Sequence, residues 1–161
     1  MTPGANTELV LSWYEAQVMG DAKRAFDLLH EEFRWYLPGN MPMSGWTDRD
    51  GYFAAGESLG RLAAGPITMR FGEVTAQDDR VLIEAESELD LVDGGRYTNS
   101  YIISARIRDG KIIEIKEFMD TLHLYQTIDA PLVRGEPKKR ETHIDHVTKT
   151  FTGEFSNQYT G

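Results

Sequence analysis

YTNSYIISARIRDGKIIEIKEFMD, residues 97–120, decides the fold. Asp109-Gly110 lies between two runs rich in β-branched and aromatic residues, a strong hairpin signal because both turn residues tolerate positive φ. The pattern predicts one strand from Tyr97 to Arg108 and another from Lys111 to Met119. On the second, Ile113, Ile115, Glu117 and Met119 share a face, and Ile112, Glu114, Lys116, Phe118 and Asp120 share the other. Glu117 is thus the only charge on an otherwise apolar face. A carboxylate facing a core must be paired, protonated or set at a wet cavity. The last two conditions are how general acids and bases are made. The competing reading is a structural ion pair with Arg106 or Lys116.

Upstream, Ile67 to Thr75 and Arg80 to Val92 also read as strands, joined by Gln77-Asp78-Asp79 and followed by Asp93-Gly94-Gly95. Successive hairpins make an antiparallel meander. The first third reads as helical. Asn6 or Thr7 caps a helix to about Met19, with Leu9, Trp13, Ala16 and Gly20 on one face. Gly20-Asp21 ends it and caps a second, Ala22 to His30. Phe33 to Leu37 is a short strand, and residues 38–46 are a loop dense in turn residues. Asp48 caps a third helix with a Tyr52, Gly56, Leu59 and Ala63 stripe, ended by Gly65-Pro66. Helices followed by long strands give an α+β class. The expected architecture is three N-terminal helices packed on a strongly curved antiparallel sheet, enclosing a cone-shaped pocket. Residues 1–133 form this domain, and 134–161 form a polar C-terminal extension that is disordered or lies across the pocket or a neighbouring subunit.

The net charge of -9 and pI near 4.9 argue against nucleic acid and anionic membranes as partners. The chain has no cysteine, so disulfides, thiolate metal sites and a cysteine nucleophile are excluded. There is no apolar stretch of membrane-spanning length and no leader pattern at Met1-Thr2-Pro3-Gly4, so a cytoplasmic protein is expected. No Gly-rich phosphate loop or dinucleotide fingerprint is present. His143-Ile144-Asp145-His146 carries ligand residue types but lies in a polar tail without a scaffold, so no metal and no cofactor are expected.

Three segments resemble the SnoaL-like and limonene-epoxide-hydrolase-like branch of the nuclear transport factor 2 (NTF2-like) superfamily over roughly residues 6–133. They are Trp13-Tyr14 to Gly20-Asp21, Tyr36-Leu37-Pro38-Gly39-Asn40-Met41-Pro42, and Tyr97 to Asp120 with its Asp109-Gly110 turn. The resemblance implies that Glu117 stands where the epoxide hydrolase has an Asp acting as base on a water. It implies that Asn40, in Asn40-Met41-Pro42, helps hold that water, with Pro38 replacing a Tyr and Tyr36 nearby. Glu88 and Asp90 stand where the family has an Arg and an Asp, a departure that disfavours epoxide opening. In the ketosteroid isomerase pattern, the oxyanion-binding Tyr of the first helix falls at Trp13 and the base falls at Leu37.

The candidate catalytic residues are therefore Glu117, Tyr101, Asn40, Tyr36 and Asp90, the last turned inward by a β-bulge. The candidate substrate-binding residues are Asn99, Trp13, Trp46, Tyr52, His123 and Met119. Trp35 and Phe53 join the aromatic residues expected to converge on the pocket, which suits a flat ring. The expected function is a cofactor-independent acid/base enzyme of lyase, dehydratase or isomerase type acting on a small hydrophobic cyclic or aromatic molecule. An epoxide hydrolase and a non-catalytic ligand-binding domain are the alternatives. A homodimer through the sheet's convex face is expected.

Overall fold

The computed structural model describes residues 2–129, 141–146 and 149–150. Lys138-Lys139-Arg140, Phe151, Phe155 and Tyr159 lie outside them. Helix α1 spans Pro3–Val18 and α2 spans Ala22–Asp27; β1 is Leu29–Leu37, β2 is Gly45–Asp48 and α3 is Arg49–Leu62. The meander follows as β3 (Thr68–Gln77), β4 (Arg80–Asp90), β5 (Arg96–Arg108) and β6 (Lys111–Met119). A short α4, Thr121–Leu124, and a π-helical turn, Tyr125–Asp129, close the domain. The α+β class holds, with helices packed on a curved, unclosed six-stranded sheet.

The sheet order is β2-β1-β6-β5-β4-β3. Each neighbouring pair of the meander is antiparallel, but β1 runs parallel to β6. The sheet is therefore mixed, not wholly antiparallel. The β5–β6 turn forms as its residues require, with Asp109 at φ 51 and Gly110 at φ 75. Helix α1 packs on β3 and β4, and α3 packs on β1.

Local chemistry sets most element ends. Thr2, not Asn6 or Thr7, caps α1, its hydroxyl accepting from Ala5 N at 3.3 Å, with Pro3 in the first turn. Asn6 instead lies within the helix, 2% exposed, and its Nδ2 donates to Asp78 O at 2.9 Å across to the β3–β4 turn. Asp21 caps α2 through Arg24 N, and Asp48 caps α3 through Gly51 N. Helix α2 stops short of the expected His30 because the chain joins β6: Ile112 N donates to Leu28 O, and Leu29 registers with Ile112. Sheet pairing overrides a helical pattern there. Strand β2 was unforeseen, since its four residues lie among turn formers and owe their form to pairing with β1.

The described part of the extension crosses the sheet face opposite the helices, and not the pocket. Tyr36 Oη donates to Glu141 O at 3.1 Å, Trp46 Nε1 to Thr142 O at 3.1 Å, and Lys116 Nζ to His143 O at 2.7 Å. Beneath it, the buried Glu114 carboxylate pairs with Arg34 at 2.5 Å and Lys116 at 3.0 Å.

Replacing Asn6 with Ala should leave the Asp78 carbonyl without its side-chain donor and lower stability by ~1–2 kcal/mol. Urea unfolding should show a lower midpoint at unchanged slope.

Candidate active site

A cavity of about 380 Å³ lies between the helices and the inner sheet face. Its apolar wall comes from α3 (Ala55, Leu59, Ala63), from β3 and its approach (Ile67, Met69), and from Leu37, Leu89, Met119, Leu124 and Ile128. The polar side chains reaching it include Tyr14, Gln17, Tyr52, Ser87, Tyr97, Tyr101 and Glu117. Among the described residues, no Lys, Arg or His lines it.

Glu117 stands at the centre of this arrangement. Tyr14 Oη donates to its Oε1 at 2.8 Å, and Trp35 Nε1 donates to its Oε2 at 3.1 Å. Burial raises its pKa above the ordinary glutamate value, against the two hydrogen bonds, which favour the charged form. Burial, and then the Glu117 charge, push Tyr14 well above the usual phenol range, so it stays protonated and donating. Tyr52 is raised by the same two causes in the same order. Neither cation weighed as a partner reaches Glu117: Arg106 pairs with Asp79 at 2.9 Å, and Lys116 pairs with Glu114 on the other face. The result is a carboxylate held by two neutral donors, with no cation among the described residues to fix it in the charged state.

Tyr101, Tyr52 and Met119 reach the cavity wall as the pattern placed them. Tyr101 Oη lies 2.9 Å from Ser87 Oγ and 3.0 Å from Tyr97 Oη. Tyr52 Oη donates to Gln17 Oε1.

The structure moves the other candidates elsewhere. Tyr36 points to the outer face, where it packs on Trp46 at 5.1 Å and bonds the extension. Strand parity is the reason: Phe33, Trp35 and Leu37 face inward, so Tyr36 and Arg34 face out. Trp46 registers with Tyr36 and shares that outer face, under the Arg34 guanidinium. Asn40 is exposed. Gly39 turns at φ 92, and Ser44 Oγ accepts from Met41 N and donates to Pro38 O, so Met41 is buried and Asn40 is thrown out.

Asp90 is exposed beside Arg96, and Glu88 bonds Arg70 and Arg96. The β4–β5 register runs without a bulge, so nothing turns either acid inward. Trp13 is 0% exposed and belongs to the core behind the cavity, 4.8 Å from the Tyr14 ring and 6.0 Å from Phe33.

Asn99 is a buried clamp off the cavity wall. Its Oδ1 accepts from Ser100 N and Asp120 N, and its Nδ2 donates to Asp120 O and Tyr97 Oη. His123 stacks on Tyr97 with ring centroids 5.4 Å apart and lines no part of the cavity. Asp120 caps α4 through His123 N.

Residues that the sequence reading left out complete the site. Tyr14 and Gln17 follow Val10 at helical spacing, on the stripe next to Trp13. Ser87 shares parity with Val81, Ile83, Ala85 and Leu89, a lone hydroxyl on an apolar face. Both signals were present in the pattern.

A family model for the SnoaL-like domain matches residues 10–115, more than half of the chain. The chain belongs to the SnoaL-like family. No curated protein matches it. Solved structures share the NTF2-like fold. An NTF2-like protein from Burkholderia xenovorans LB400 is 22% identical over 80% of this chain and 98% of that one, with a TM-score of 0.65. The protein Bal32a, from a soil-derived mobile gene cassette, is 24% identical over 79% and 98%, with a TM-score of 0.69. TerC, co-crystallized with polyporic acid, is 21% identical over 77% and 98%, with a TM-score of 0.65. At these identities the likeness shows the fold alone. Within this SnoaL-like domain, the helix-one hydroxyl belongs to Tyr14, one residue beyond the Trp13 match, and it faces the strand carboxylate. Among the described residues, no helix is long and apolar enough to cross a membrane.

The raised Glu117 pKa sets a pH dependence. Between the unfolded value of about 4.3 and the higher folded value, the folded state binds more protons than the unfolded state. Stability therefore falls as pH rises through that window. Glu117→Gln removes the effect while keeping an acceptor for Trp35. The variant should match the wild type near pH 4 and melt higher than it at pH 7–8, as thermal unfolding across that range would register.

Proposed function

We propose that this SnoaL-like protein is a cofactor-independent acid/base enzyme acting on a small, neutral, hydrophobic cyclic or aromatic molecule. One observation carries the reading: the Glu117 carboxylate opens on an apolar cavity, held among the described residues by Tyr14 and Trp35 and raised in pKa by burial. A carboxylate so placed is basic enough to take a proton from carbon and acidic enough to return it. The aromatic wall of Trp35, Tyr52, Tyr97 and Tyr101 suits a flat ring, and the volume suits a small molecule. Among the described residues no cation lines the cavity, which disfavours a carboxylate or phosphate substrate beside Glu117.

The step is a proton transfer. Glu117 takes a proton from a carbon next to a carbonyl. The C–H electron pair becomes the new C=C bond, and the carbonyl π pair moves onto oxygen. Returning the proton to another carbon gives isomerisation; loss of a leaving group gives elimination. Epoxide opening is not favoured, because Asn40, Glu88 and Asp90 lie outside the cavity and, among the described residues, no second carboxylate stands beside Glu117 to share the work on water.

The test is proton exchange. The protein is incubated in D₂O with a panel of neutral cyclic and aryl ketones, and loss of the α-proton signal is followed by NMR. The wild type should exchange at least one compound faster than buffer. Glu117→Gln should lose that activity by ~10²-fold or more, and Tyr36→Phe and Asn40→Ala should keep it. The rate should rise with pH along a limb above the ordinary glutamate range. Exchange that survives in Glu117→Gln would sink the assignment.

A further inference from the structure

The cavity has a second polar pole, built from Ser87, Tyr97 and Tyr101. The β4–β5 register sets Ser87 opposite Asn99, Leu89 opposite Tyr97 and Ala85 opposite Tyr101, so the three hydroxyls meet on the inner face. Tyr97 and Tyr101 lie 3.0 Å apart at their hydroxyls, and Tyr101 lies 2.9 Å from Ser87.

Asn99 closes one exit for the protons of these bonds. Its Oδ1 faces two backbone N–H groups, Ser100 at 2.9 Å and Asp120 at 3.0 Å, which only donate. The amide orientation is thereby settled, and Nδ2 must donate to Tyr97 Oη at 2.9 Å. Tyr97 cannot return its proton to Asn99. Three hydroxyl protons then serve two hydroxyl–hydroxyl bonds. Among the described residues, no other acceptor reaches these oxygens. Whichever way the chain runs, one proton is left over, and all three oxygens belong to cavity-lining side chains.

The other lining donors are in use or enclosed. Tyr14 and Trp35 donate to Glu117, and Tyr52 donates to Gln17. Gln17 Nε2 is buried, without a hydrogen-bond partner among the described residues.

We propose that the Ser87–Tyr97–Tyr101 cluster, oriented by Asn99, is a donor site for the acceptor oxygen of a neutral ligand. The cavity then reads one oxygen acceptor at this pole, while Glu117 meets the ligand's acidic hydrogen at the other. This pole deepens the proposed function and rests on it for its catalytic meaning, but its binding does not need turnover. Asn99 is a positioning residue: its amide donates to Tyr97 and so keeps the Tyr97 proton within the hydroxyl cluster.

The probes are 1-tetralone and tetralin, which share a bicyclic frame and differ in one carbonyl oxygen. Calorimetry on the full chain should show tetralone bound about five-fold more tightly than tetralin, the worth of one buried hydrogen bond. Glu117→Gln should keep that preference, which separates this pole from the acid/base reading. The triple variant Ser87→Ala/Tyr97→Phe/Tyr101→Phe should bind tetralin as before and lose the preference. Asn99→Asp should reduce the preference with every hydroxyl present, because it accepts the Tyr97 proton and draws all three protons toward position 99. Equal affinities in the wild type, no binding of tetralone, or a preference that survives the triple variant would overturn the proposal. A preference unchanged in Asn99→Asp would overturn the role given to Asn99.

Discussion

The Glu117 carboxylate, held between the Tyr14 hydroxyl and the Trp35 indole N–H, is the contact on which the arrangement of the site depends. Each oxygen takes one donor, and the donors come from α1 and β1 while the acid comes from β6. An isolated buried carboxylate costs several kcal/mol, so these three elements must close on one another for the cavity to be tolerated. The same cost gives the site its chemistry. Two neutral hydrogen bonds offset part of the desolvation, with no cation among the described residues to pin the acid in its charged form, and the pKa stays raised. Exposed ion pairs elsewhere, such as Arg96 with Glu88, carry no comparable constraint.

The central strands divide two kinds of electrostatics. On the inner face, Trp35 and Glu117 meet an apolar space with no cation of the described residues at its wall. On the outer face, one residue away in each strand, Tyr36, Glu114 and Lys116 join Arg34 in a paired and covered cluster under residues 141–146. Alternation separates Lys116 from Glu117 by the thickness of the sheet. This is why a lysine adjacent in sequence leaves the Glu117 carboxylate unpaired. The extension adds aromatic contacts between His143 and both Tyr36 and Phe118 on that outer face, so the described part of it packs on the sheet and lines no part of the cavity.

Much of this was legible from the chain. Asp109-Gly110 marked the β5–β6 turn, Asp48 and Asp21 marked helix starts, and Glu117 stood out by parity. Tyr101 and Met119 reached the cavity wall because they share the inner face. Where the reading failed, a single physical cause usually stands out. Tyr36 was drawn in by the resemblance against its own strand parity, which favoured Trp35. Asn40 was assigned by a three-residue match, and Ser44 closed a turn that expels it. Asp90 needed a bulge that an uninterrupted β4–β5 register does not supply. Tyr14 was passed over beside Trp13, since one helix contributes one residue to the core and its neighbour to the cavity.

By itself the sequence determined the meander, its tightest turn and the inward side of Ile115, Glu117 and Met119 on β6, because turn chemistry and period-two alternation act over a few residues; a register irregularity between Arg106 and Ile107 puts Ile112 in the core in place of the expected Ile113. It also determined that a carboxylate would lie on that face. Only the tertiary structure decided what meets the carboxylate. The Tyr14 and Trp35 donors, the parallel seating of β1 against β6, and the hydroxyl cluster set by Asn99 join residues as many as 103 positions apart. Such partners are chosen by how α1 and β1 pack on the curved sheet, and no local pattern encodes that geometry.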